Sequence, residues 1–270
     1  MTIGFIGVGE MGFGMAANLL KHTFSVVAVD TDKKKLDCIV ELGAQIGKTP
    51  ADVASKSDIV ILCLPRPNIS RRVIFGNTGI VQGNFQNKTL IETSTLTPEV
   101  AVDFYERLKH LSIDFLSAPM FGGATAAREG CIHFVVEGDK ATFQANRNIL
   151  LAMGRKITYV GKPPQATLAK LARNICRFAN VATAIEVIHF LRAYTKKVLP
   201  IYNIIAEDSK TNFDSVWERT MRPYALEEMP YKASHISVKD LRIVRQLARQ
   251  KRLDMPITLA TFSVHKRLRS

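Results

Sequence analysis

Several features that define special classes of protein are scarce or missing in this sequence. Only 4 of its 270 residues are cysteines, and their scatter among apolar neighbours predicts buried, reduced thiols and no disulfide framework. Neither a C-x-x-C nor an H-E-x-x-H spacing occurs, so we expect no metal site. No apolar run approaches the ~18 residues of a membrane span, and no basic-then-apolar leader precedes the first strand. These absences predict a cytoplasmic protein without a metal or a membrane partner.

Acidic residues are also few. The chain has 24 of them against 37 lysines and arginines, which gives a net charge of +13. One interpretation of this excess is attraction of an acidic ligand or nucleic acid, and the other is a solvated basic helix face near the C-terminus. The second is favoured because these basic residues are not interleaved with the aromatic residues of a base-stacking surface. We therefore expect no nucleic-acid partner.

The most informative feature present is a glycine pattern near the N-terminus. Gly7, Gly9 and Gly12 form G-x-G-x-x-G between a predicted strand, Ile3–Ile6, and a predicted helix, Met11–Leu20. In a dinucleotide-binding turn the first glycine permits the tight turn and the second lets a pyrophosphate approach the backbone. The third lets helix and strand pack closely. The strand-turn-helix setting therefore favours dinucleotide binding over an ordinary turn.

Two further parts of this segment bear on the cofactor. The helix start, which includes Glu10 and Met11, offers backbone N–H groups and a dipole that favour an anion. A second predicted strand, Val26–Val29, ends at Asp30, about 20 residues past the glycines, where a ribose hydroxyl needs an acceptor. Asp30 and the neighbouring Thr31 are thus candidate ribose-binding residues. Since a carboxylate repels a 2′-phosphate, NAD is favoured over NADP.

Strand and helix signals alternate through the first part of the chain, which predicts an α/β fold with a doubly wound, mostly parallel sheet. The predicted strands are Ile3–Ile6, Val26–Val29, Ile59–Leu64, Thr89–Glu92, Asp114–Ser117, His133–Glu137 and Thr158–Val160. Pro65, Pro67 and Asn68 follow one of these strands and are interpreted as a loop at the carboxyl edge of the sheet, where ligands bind.

The pattern changes after the Gly-Lys-Pro-Pro segment at residues 161–164. From Ala166 to about Lys197, apolar residues recur at three- and four-residue spacing, which predicts one long helix, and further helices follow without a convincing strand. We therefore predict a Rossmann-type dinucleotide-binding domain at residues 1–162. Residues 163–270 are predicted to form a helical substrate and dimerisation domain.

Six segments, in order along the chain, resemble those of the β-hydroxyacid dehydrogenase family, which includes 3-hydroxyisobutyrate dehydrogenase and tartronate semialdehyde reductase. The segments are Phe5–Leu19, Leu64–Pro65, Glu92–Pro98, Ala118–Gly123, Lys170 with Asn174, and Lys239–Leu241. The resemblance implies a Rossmann-type sheet followed by an all-helical domain, a nicotinamide cofactor and a homodimer or homotetramer. Each motif is short, but their shared order makes the match fairly specific.

The resemblance also implies roles for single residues. Lys170 matches the family's catalytic lysine and Asn174 its partner, while Lys239 faces the active site. Thr95 would lie near the nicotinamide, and Leu64 and Pro65 would line the cofactor site. The chemistry suits a lysine, because hydride transfer builds negative charge on a carbonyl oxygen that an ammonium group can protonate. A free lysine has a pKa of ~10.4, so burial or a second cation is needed for work near neutrality.

Departures from the family pattern bear on the substrate. The substrate loop usually begins with an acid and carries a serine before a glycine pair, but this chain has Ser117 and Phe121 there. Phe121 predicts a more apolar pocket, whereas the amides of Gly122 and Gly123 are candidate donors to a substrate carboxylate. Arg173 replaces an asparagine and is either an anion clamp or a solvated side chain. The chain also stops short of the usual family end, so a shortened C-terminus is expected.

Together these features predict an NAD(P)-dependent oxidoreductase. Its substrate would be a small β-hydroxy acid, or a related alcohol, interconverted with the semialdehyde or keto form by hydride transfer and a lysine proton donor. One alternative keeps the fold but reduces an imine or a larger or phosphorylated carbonyl compound. Another is a non-catalytic NAD(P)-binding sensor or partner protein.

Overall fold

The computed structural model describes residues 1–208 and 235–269. Nine strands form a sheet in the order β3-β2-β1-β4-β5-β6-β8-β7, with β9 beside β8. The strands are β1 (Thr2–Ile6), β2 (Ser25–Val29), β3 (Gln45–Ile46), β4 (Ile59–Leu62), β5 (Thr89–Glu92), β6 (Asp114–Ser117), β7 (Met120–Phe121), β8 (Ile132–Gly138) and β9 (Gly154–Tyr159). The first six strands run parallel, whereas β8 is antiparallel to both β6 and β7. The prediction of a mostly parallel α/β sheet is thus confirmed.

Helices connect the strands and continue after the last one. The described helices are α1 (Glu10–Lys21), α2 (Lys33–Val40), α3 (Pro50–Lys56), α4 (Pro67–Phe75), α5 (Pro98–His110), α6 (Ala124–Arg128), α7 (Lys140–Met153), α8 (Gln165–Tyr194), α9 (Val198–Asp208), α10 (His235–Gln250) and α11 (Pro256–Arg267). Local sequence sets several starts: the hydroxyls of Thr49 and Thr97 accept from Asp52 N and Val100 N, each just before a proline in the first turn.

The apolar strands are buried on both faces, as the doubly wound arrangement requires. Along β4, Ile59 and Ile61 pack in one hydrophobic cluster, and Val60 and Leu62 pack in a second cluster. Successive side chains of a strand point to opposite faces, so a continuous apolar run supplies both layers. The two clusters lie against different helices, with Met15 of α1 in the first.

Contacts within the chain divide it into two compact units, Met1–Lys170 and Leu171–Ser270. The second unit is helical throughout its described part, as expected for the residues after 162. Its apolar clusters include Ile185 of α8 with Tyr202 of α9, and Phe178 of α8 with Phe262 of α11. The domain assignments 1–162 and 163–270 stay predictions.

Two expectations are wrong. Pro67 and Asn68 belong to helix α4 and not to a loop, because a proline at the first helical position loses no intrahelical hydrogen bond. None of the four cysteines, which all lie in the described ranges, is a fully buried thiol, because Cys38 and Cys176 are exposed and Cys63 and Cys131 are only partly buried. In α2 the neighbour Ile39 is buried, but adjacent helical residues point about 100° apart, so an apolar neighbour does not imply burial.

None of the helices in the described ranges is both long and apolar enough to cross a membrane.

Candidate functional site

The three glycines of the β1–α1 turn meet three different steric demands. Gly7 has φ +95°, and a Cβ on it would collide with the Cys63 carbonyl oxygen. A Cβ on Gly12 would collide with the carbonyl oxygen of Gly7. By contrast, a Cβ on Gly9 would meet no atom of the described residues within 4 Å. The turn therefore leaves open space beside Gly9, which is where a dinucleotide pyrophosphate needs to approach the backbone.

Helix α1 begins directly after this open space. Glu10 and Met11 form its first turn, whose N–H groups have no acceptor one turn earlier within the helix. Glu10 is exposed and Met11 is partly buried. The geometry therefore suits a bound phosphate group, and the assignment of these two residues to the cofactor site stays a prediction.

Asp30 lies at the end of β2 and faces the same turn. Its Oδ2 accepts from the backbone N–H of Val8 at 2.8 Å, and its Oδ1 accepts from Asp32 N at 2.9 Å. The Thr31 hydroxyl also donates to Oδ1 at 3.5 Å. Since a carboxylate oxygen can accept two hydrogen bonds, Oδ2 retains capacity for a ribose hydroxyl while Asp30 fixes the turn. The adjacent Thr31 is exposed.

Leu64 and Thr95 lie in two loops that hydrogen bonds hold together. The Leu64 amide donates to Ser94 Oγ at 2.7 Å, and the Ser94 amide donates to Glu92 Oε1 at 2.8 Å. Thr95 is buried beside this loop, whereas Pro65 is exposed. Hydrogen bonds therefore connect the two loops in which the predicted cofactor-binding residues Leu64 and Thr95 lie.

A series of backbone hydrogen bonds continues across the carboxyl ends of the parallel strands. The bonds run from Gly7 N to Val29 O (3.0 Å), Cys63 N to Ile6 O (3.0 Å), Thr93 N to Leu62 O (2.9 Å) and Ala118 N to Glu92 O (2.8 Å). The glycine turn, Asp30 and the Leu64 and Thr95 loops consequently share one edge of the sheet. Ligands of open α/β sheets bind at this edge.

Lys170 approaches the segment Ala118–Gly123, which follows β6 and contains the short strand β7. Its Nζ donates to the carbonyl oxygen of Met120 at 2.7 Å and lies 5.6 Å from the centroid of the Phe121 ring. Gly122 follows with φ +132°, a conformation that favours glycine, and both Gly122 and Gly123 are exposed. The structure thus brings Lys170 and the predicted substrate loop together.

Sequence analysis missed His133, which lies opposite Phe121 in the β7–β8 pair. The two rings pack edge to face with centroids 5.4 Å apart, and His133 Nε2 lies 2.9 Å from Thr158 Oγ1. Burial lowers the pKa of His133, and the nearby charge of Lys156 acts in the same direction. Only the register of the short strand β7, which sequence did not predict, could have revealed this neighbour.

Within the second unit, Asn174, Asp240 and Lys239 form a connected group. The Asn174 amide donates to Asp240 Oδ2 at 2.7 Å, and Lys239 Nζ lies 3.2 Å from Asp240 Oδ1. Asn174 and Asp240 are buried, while the Lys239 side chain is 19% exposed. Arg173 is partly buried on α8, and its two interpretations stay open.

Comparison with known proteins also indicates a dinucleotide-binding dehydrogenase. Residues 2–161 match the family described as the NAD binding domain of 6-phosphogluconate dehydrogenase. Mitochondrial 3-hydroxyisobutyrate dehydrogenase of Rattus norvegicus is 35% identical over 173 residues, which are 64% of this chain and 52% of the relative. The chain belongs to the β-hydroxyacid dehydrogenase family. As the family implies, its first part is an NAD(P)-binding domain.

Not every relative in this family has the name of an enzyme. The cytokine-like nuclear factor N-PAC of Danio rerio is 27% identical over 269 residues, covering 99% of this chain and 58% of the relative. This chain spans about half the length of the curated relatives it matches.

Solved structures of other members share the fold over nearly the whole chain. A 3-hydroxyisobutyrate dehydrogenase from Salmonella typhimurium has a TM-score of 0.88 at 20% identity, covering 99% of this chain and 93% of that one. Psf3 in complex with NADP+ and 2-OPP has a TM-score of 0.87 at 21% identity, covering 98% and 93%. An imine reductase variant from Myxococcus stipitatus in complex with NAD+ has a TM-score of 0.65 at 17% identity, covering 98% and 92%. These identities support the fold alone.

Proposed function

We propose that this protein is an NAD(P)-dependent oxidoreductase that interconverts a small β-hydroxy acid, or a related alcohol, and its semialdehyde or keto form. The observation that carries the proposal is the position of Lys170. Its ammonium group lies at the Met120 carbonyl and the Phe121 ring, and both residues form β7, a short strand of the sheet whose β1 precedes the dinucleotide turn. A titratable group at the ligand-binding edge of such a sheet is a candidate proton donor.

The mechanism assigns one task to each group of residues. A bound nicotinamide supplies the hydride in reduction and accepts it in oxidation. As the carbonyl oxygen gains negative charge, the Lys170 ammonium donates a proton to it, and in the reverse direction the neutral amine takes that proton back. The amides of Gly122 and Gly123 would bind a substrate carboxylate, and Asn174 would orient the substrate. Thr95 would orient the nicotinamide.

NAD is the proposed cofactor, because Asp30 places a carboxylate beside the turn where NADP would bring a phosphate. Leu64, Pro65 and Lys239 are proposed to complete the cofactor site. We further propose that the protein is a homodimer or a homotetramer, as the family resemblance implies.

One alternative is reduction of an imine or a larger or phosphorylated carbonyl compound on the same fold. The Phe121–His133 pair supports it, because the Phe121 ring beside Lys170, packed on a second ring, makes the substrate loop more apolar than a serine would. A structural neighbour is named as an imine reductase. Relative rates with β-hydroxy acids and with cyclic imines distinguish the two candidates.

The second alternative is a non-catalytic NAD(P)-binding protein. The nuclear factor that aligns with 99% of this chain supports it, since its name is not that of an enzyme. This candidate predicts cofactor binding without turnover of any carbonyl, hydroxy-acid or imine substrate.

The deciding experiment combines calorimetric titration with NADH and NADPH and a turnover assay on a substrate panel. We expect tighter binding of NADH and turnover of a small semialdehyde. Lys170→Ala is expected to lower turnover to a small residual rate and retain cofactor binding, whereas the control Lys162→Ala, at an exposed lysine 3.8 Å from Asp139, retains both at the wild-type level. Turnover by Lys170→Ala at the wild-type rate would remove Lys170 from the mechanism, and cofactor binding without any turnover by the wild type would favour the non-catalytic candidate.

A further inference from the structure

A buried carboxyl group lies under the first turn of α8. Glu137 of β8 is fully buried, with 0% of its surface exposed. Its Oε2 accepts from the Ala166 amide at 2.6 Å, and its Oε1 accepts from the Thr167 hydroxyl at 3.0 Å. Burial raises the pKa of Glu137, and hydrogen bonds from Ala166 and Thr167 act in the opposite direction.

These contacts make Glu137 a cap of helix α8 that is supplied by a distant strand. The first N–H groups of a helix have no acceptor within it, and a carboxylate at the N-terminus also suits the helix dipole. Ala166 lies four residues before Lys170, which is about one helical turn. The cap therefore fixes the turn from which the Lys170 side chain extends.

Glu137 also lies beside the chain segment that leads from β6 to Met120, the residue that Lys170 contacts. In the β6–β8 pair its register partner is Ser117, and Met120 follows Ser117 by three residues. Met120 supplies the carbonyl oxygen that accepts from Lys170 Nζ at 2.7 Å. The Glu137 side chain therefore binds helix α8, which carries Lys170. Its backbone belongs to the β6–β8 strand pair, and Met120, the acceptor of Lys170, follows β6 in the chain.

We propose that Glu137 is a positioning residue that holds Lys170 at the Met120 carbonyl, next to Phe121, in the orientation required for proton transfer. This inference rests on the proposed function of Lys170, but the placement of the lysine can be measured without any substrate.

The chemistry of the site determines the test variants. Glu137→Gln keeps the shape of the side chain but removes its charge and one acceptor. Its oxygen can still accept from the Ala166 N–H, whereas its NH2 group cannot accept from the Thr167 hydroxyl, which has to rotate and accept instead. Glu137→Asp keeps the charge on a shorter side chain, and Thr167→Val removes a single donor. Asn146→Ala is the matched control, because Asn146 is a buried hydrogen-bonding residue of α7 whose partners, Thr89 and Thr142, do not contact Lys170.

The first measurement is the rate at which dilute isotope-coded acetic anhydride acetylates Lys170, quantified by mass spectrometry against Lys162 in the same sample. Glu137→Gln is expected to raise the relative rate at Lys170, because the ammonium group is released from the Met120 carbonyl. Thr167→Val should raise it less, and Asn146→Ala should leave it unchanged. Equal relative rates in all four proteins would overturn the proposal. Should Glu137→Gln fail to fold, Glu137→Asp and Thr167→Val decide in its place.

The second measurement is a double-mutant cycle on turnover. Glu137→Gln is expected to lower kcat about tenfold or more, since small misplacements of a reacting group have effects of that order, and to leave the Kd for NADH unchanged. In the Lys170→Ala background the same substitution should have no further effect on residual turnover. An equal loss in both backgrounds would show that Glu137 acts independently of Lys170.

Failure of the two proposals can be distinguished. A wild-type protein that turns over no substrate would contradict the proposed function, while the acetylation rates would still decide whether Glu137 positions Lys170.

Discussion

The three glycines of the β1–α1 turn are present for different reasons. Gly7 and Gly12 are required by contacts within the protein, because a Cβ on either would collide with a backbone carbonyl oxygen. Gly9 borders open space and has φ −64°, which any residue adopts. Stability therefore explains two of the three glycines, and only Gly9 needs a ligand to explain it.

We expect Gly9→Ala and Gly12→Ala to separate binding from stability. Gly12→Ala should lower the free energy of unfolding by about 1–3 kcal/mol or prevent folding, since the added methyl group overpacks the turn. Gly9→Ala should change stability by less than about 1 kcal/mol and weaken NADH binding, because its methyl group occupies the pyrophosphate position. Denaturant unfolding and calorimetry measure the two effects. Normal NADH affinity in Gly9→Ala would contradict the assignment of the cofactor turn.

Phe121 is the residue where substrate preference should change most directly. In Phe121→Ser the ring beside Lys170 and His133 is lost, and a hydroxyl that can hydrogen-bond a small acid is gained. We expect kcat/KM for small β-hydroxy acids to rise by about tenfold and that for bulky or cyclic substrates to fall, as measured on one substrate panel. An unchanged ranking of substrates would place Phe121 outside the substrate pocket.

At the scale of elements, close packing of α6 on α1 supports the substrate loop. A Cβ on Gly14 would lie 2.7 Å from backbone atoms of Ala127 and Arg128, and the Asn18 amide donates to the Ala127 carbonyl at 2.7 Å. Helix α6 begins at Ala124, directly after Gly122 and Gly123. The position of the loop is thus tied to α1, whose first turn belongs to the proposed dinucleotide site.

Gly14→Ala should consequently affect substrate binding from a distance. The added methyl group pushes α6 away from α1, so we expect a loss of about 1–3 kcal/mol in the free energy of unfolding and a higher KM for substrate. The Kd for NADH should change little, since the Gly7–Gly12 turn is not touched. Equal losses of substrate and cofactor affinity would mean that the whole of α1 had moved.

Sequence patterns predict some elements with their observed bounds and miss others, and only the last two residues of β9 (Gly154–Tyr159) lie in the predicted strand Thr158–Val160. Thr89–Glu92, Asp114–Ser117 and helix Lys140–Met153 were predicted with their observed bounds, because apolar periodicity and caps are local signals. Strands β3 and β7 have two residues each and were missed, since so short a strand is defined only by its partner. Helix α4 was missed because its proline was interpreted as a loop signal.

For the whole molecule, we expect a buried histidine of the second unit to make the free energy of unfolding depend on pH. His265 is fully buried, with Nε2 at 3.0 Å from the Phe178 carbonyl oxygen and Nδ1 at 3.1 Å from Ser237 Oγ. Since a carbonyl only accepts, Nε2 carries the proton and Nδ1 accepts from the serine. Burial lowers the pKa of His265, while the bond to Phe178 acts in the opposite direction.

The lowered pKa of His265 predicts that the free energy of unfolding falls at acid pH and that replacing this histidine reduces the fall. Because the folded-state pKa lies below the ordinary 6.5, the contribution of neutral His265 is complete above pH 6.5 and is lost as pH falls towards the folded-state value. His265→Gln retains a donor and an acceptor but does not titrate. We expect its free energy of unfolding to depend less on pH between about pH 6.5 and pH 5 than that of the wild type. His110→Gln, at an exposed histidine, is the control and should follow the wild type.

Local sequence is enough to predict the parallel sheet, the dinucleotide turn and Lys170 as a candidate proton donor. Those features depend on apolar periodicity, on the absence of a side chain at fixed positions and on the resemblance of a short motif to the family's. In contrast, the contact of Lys170 with Met120, 50 residues away, and the capping of α8 by Glu137, from 29 residues away, follow from the tertiary fold. The packing of His133 on Phe121 also follows from it, because strand pairing determines this contact. Such contacts join residues distant in sequence, and no local pattern records which distant groups a fold will bring together.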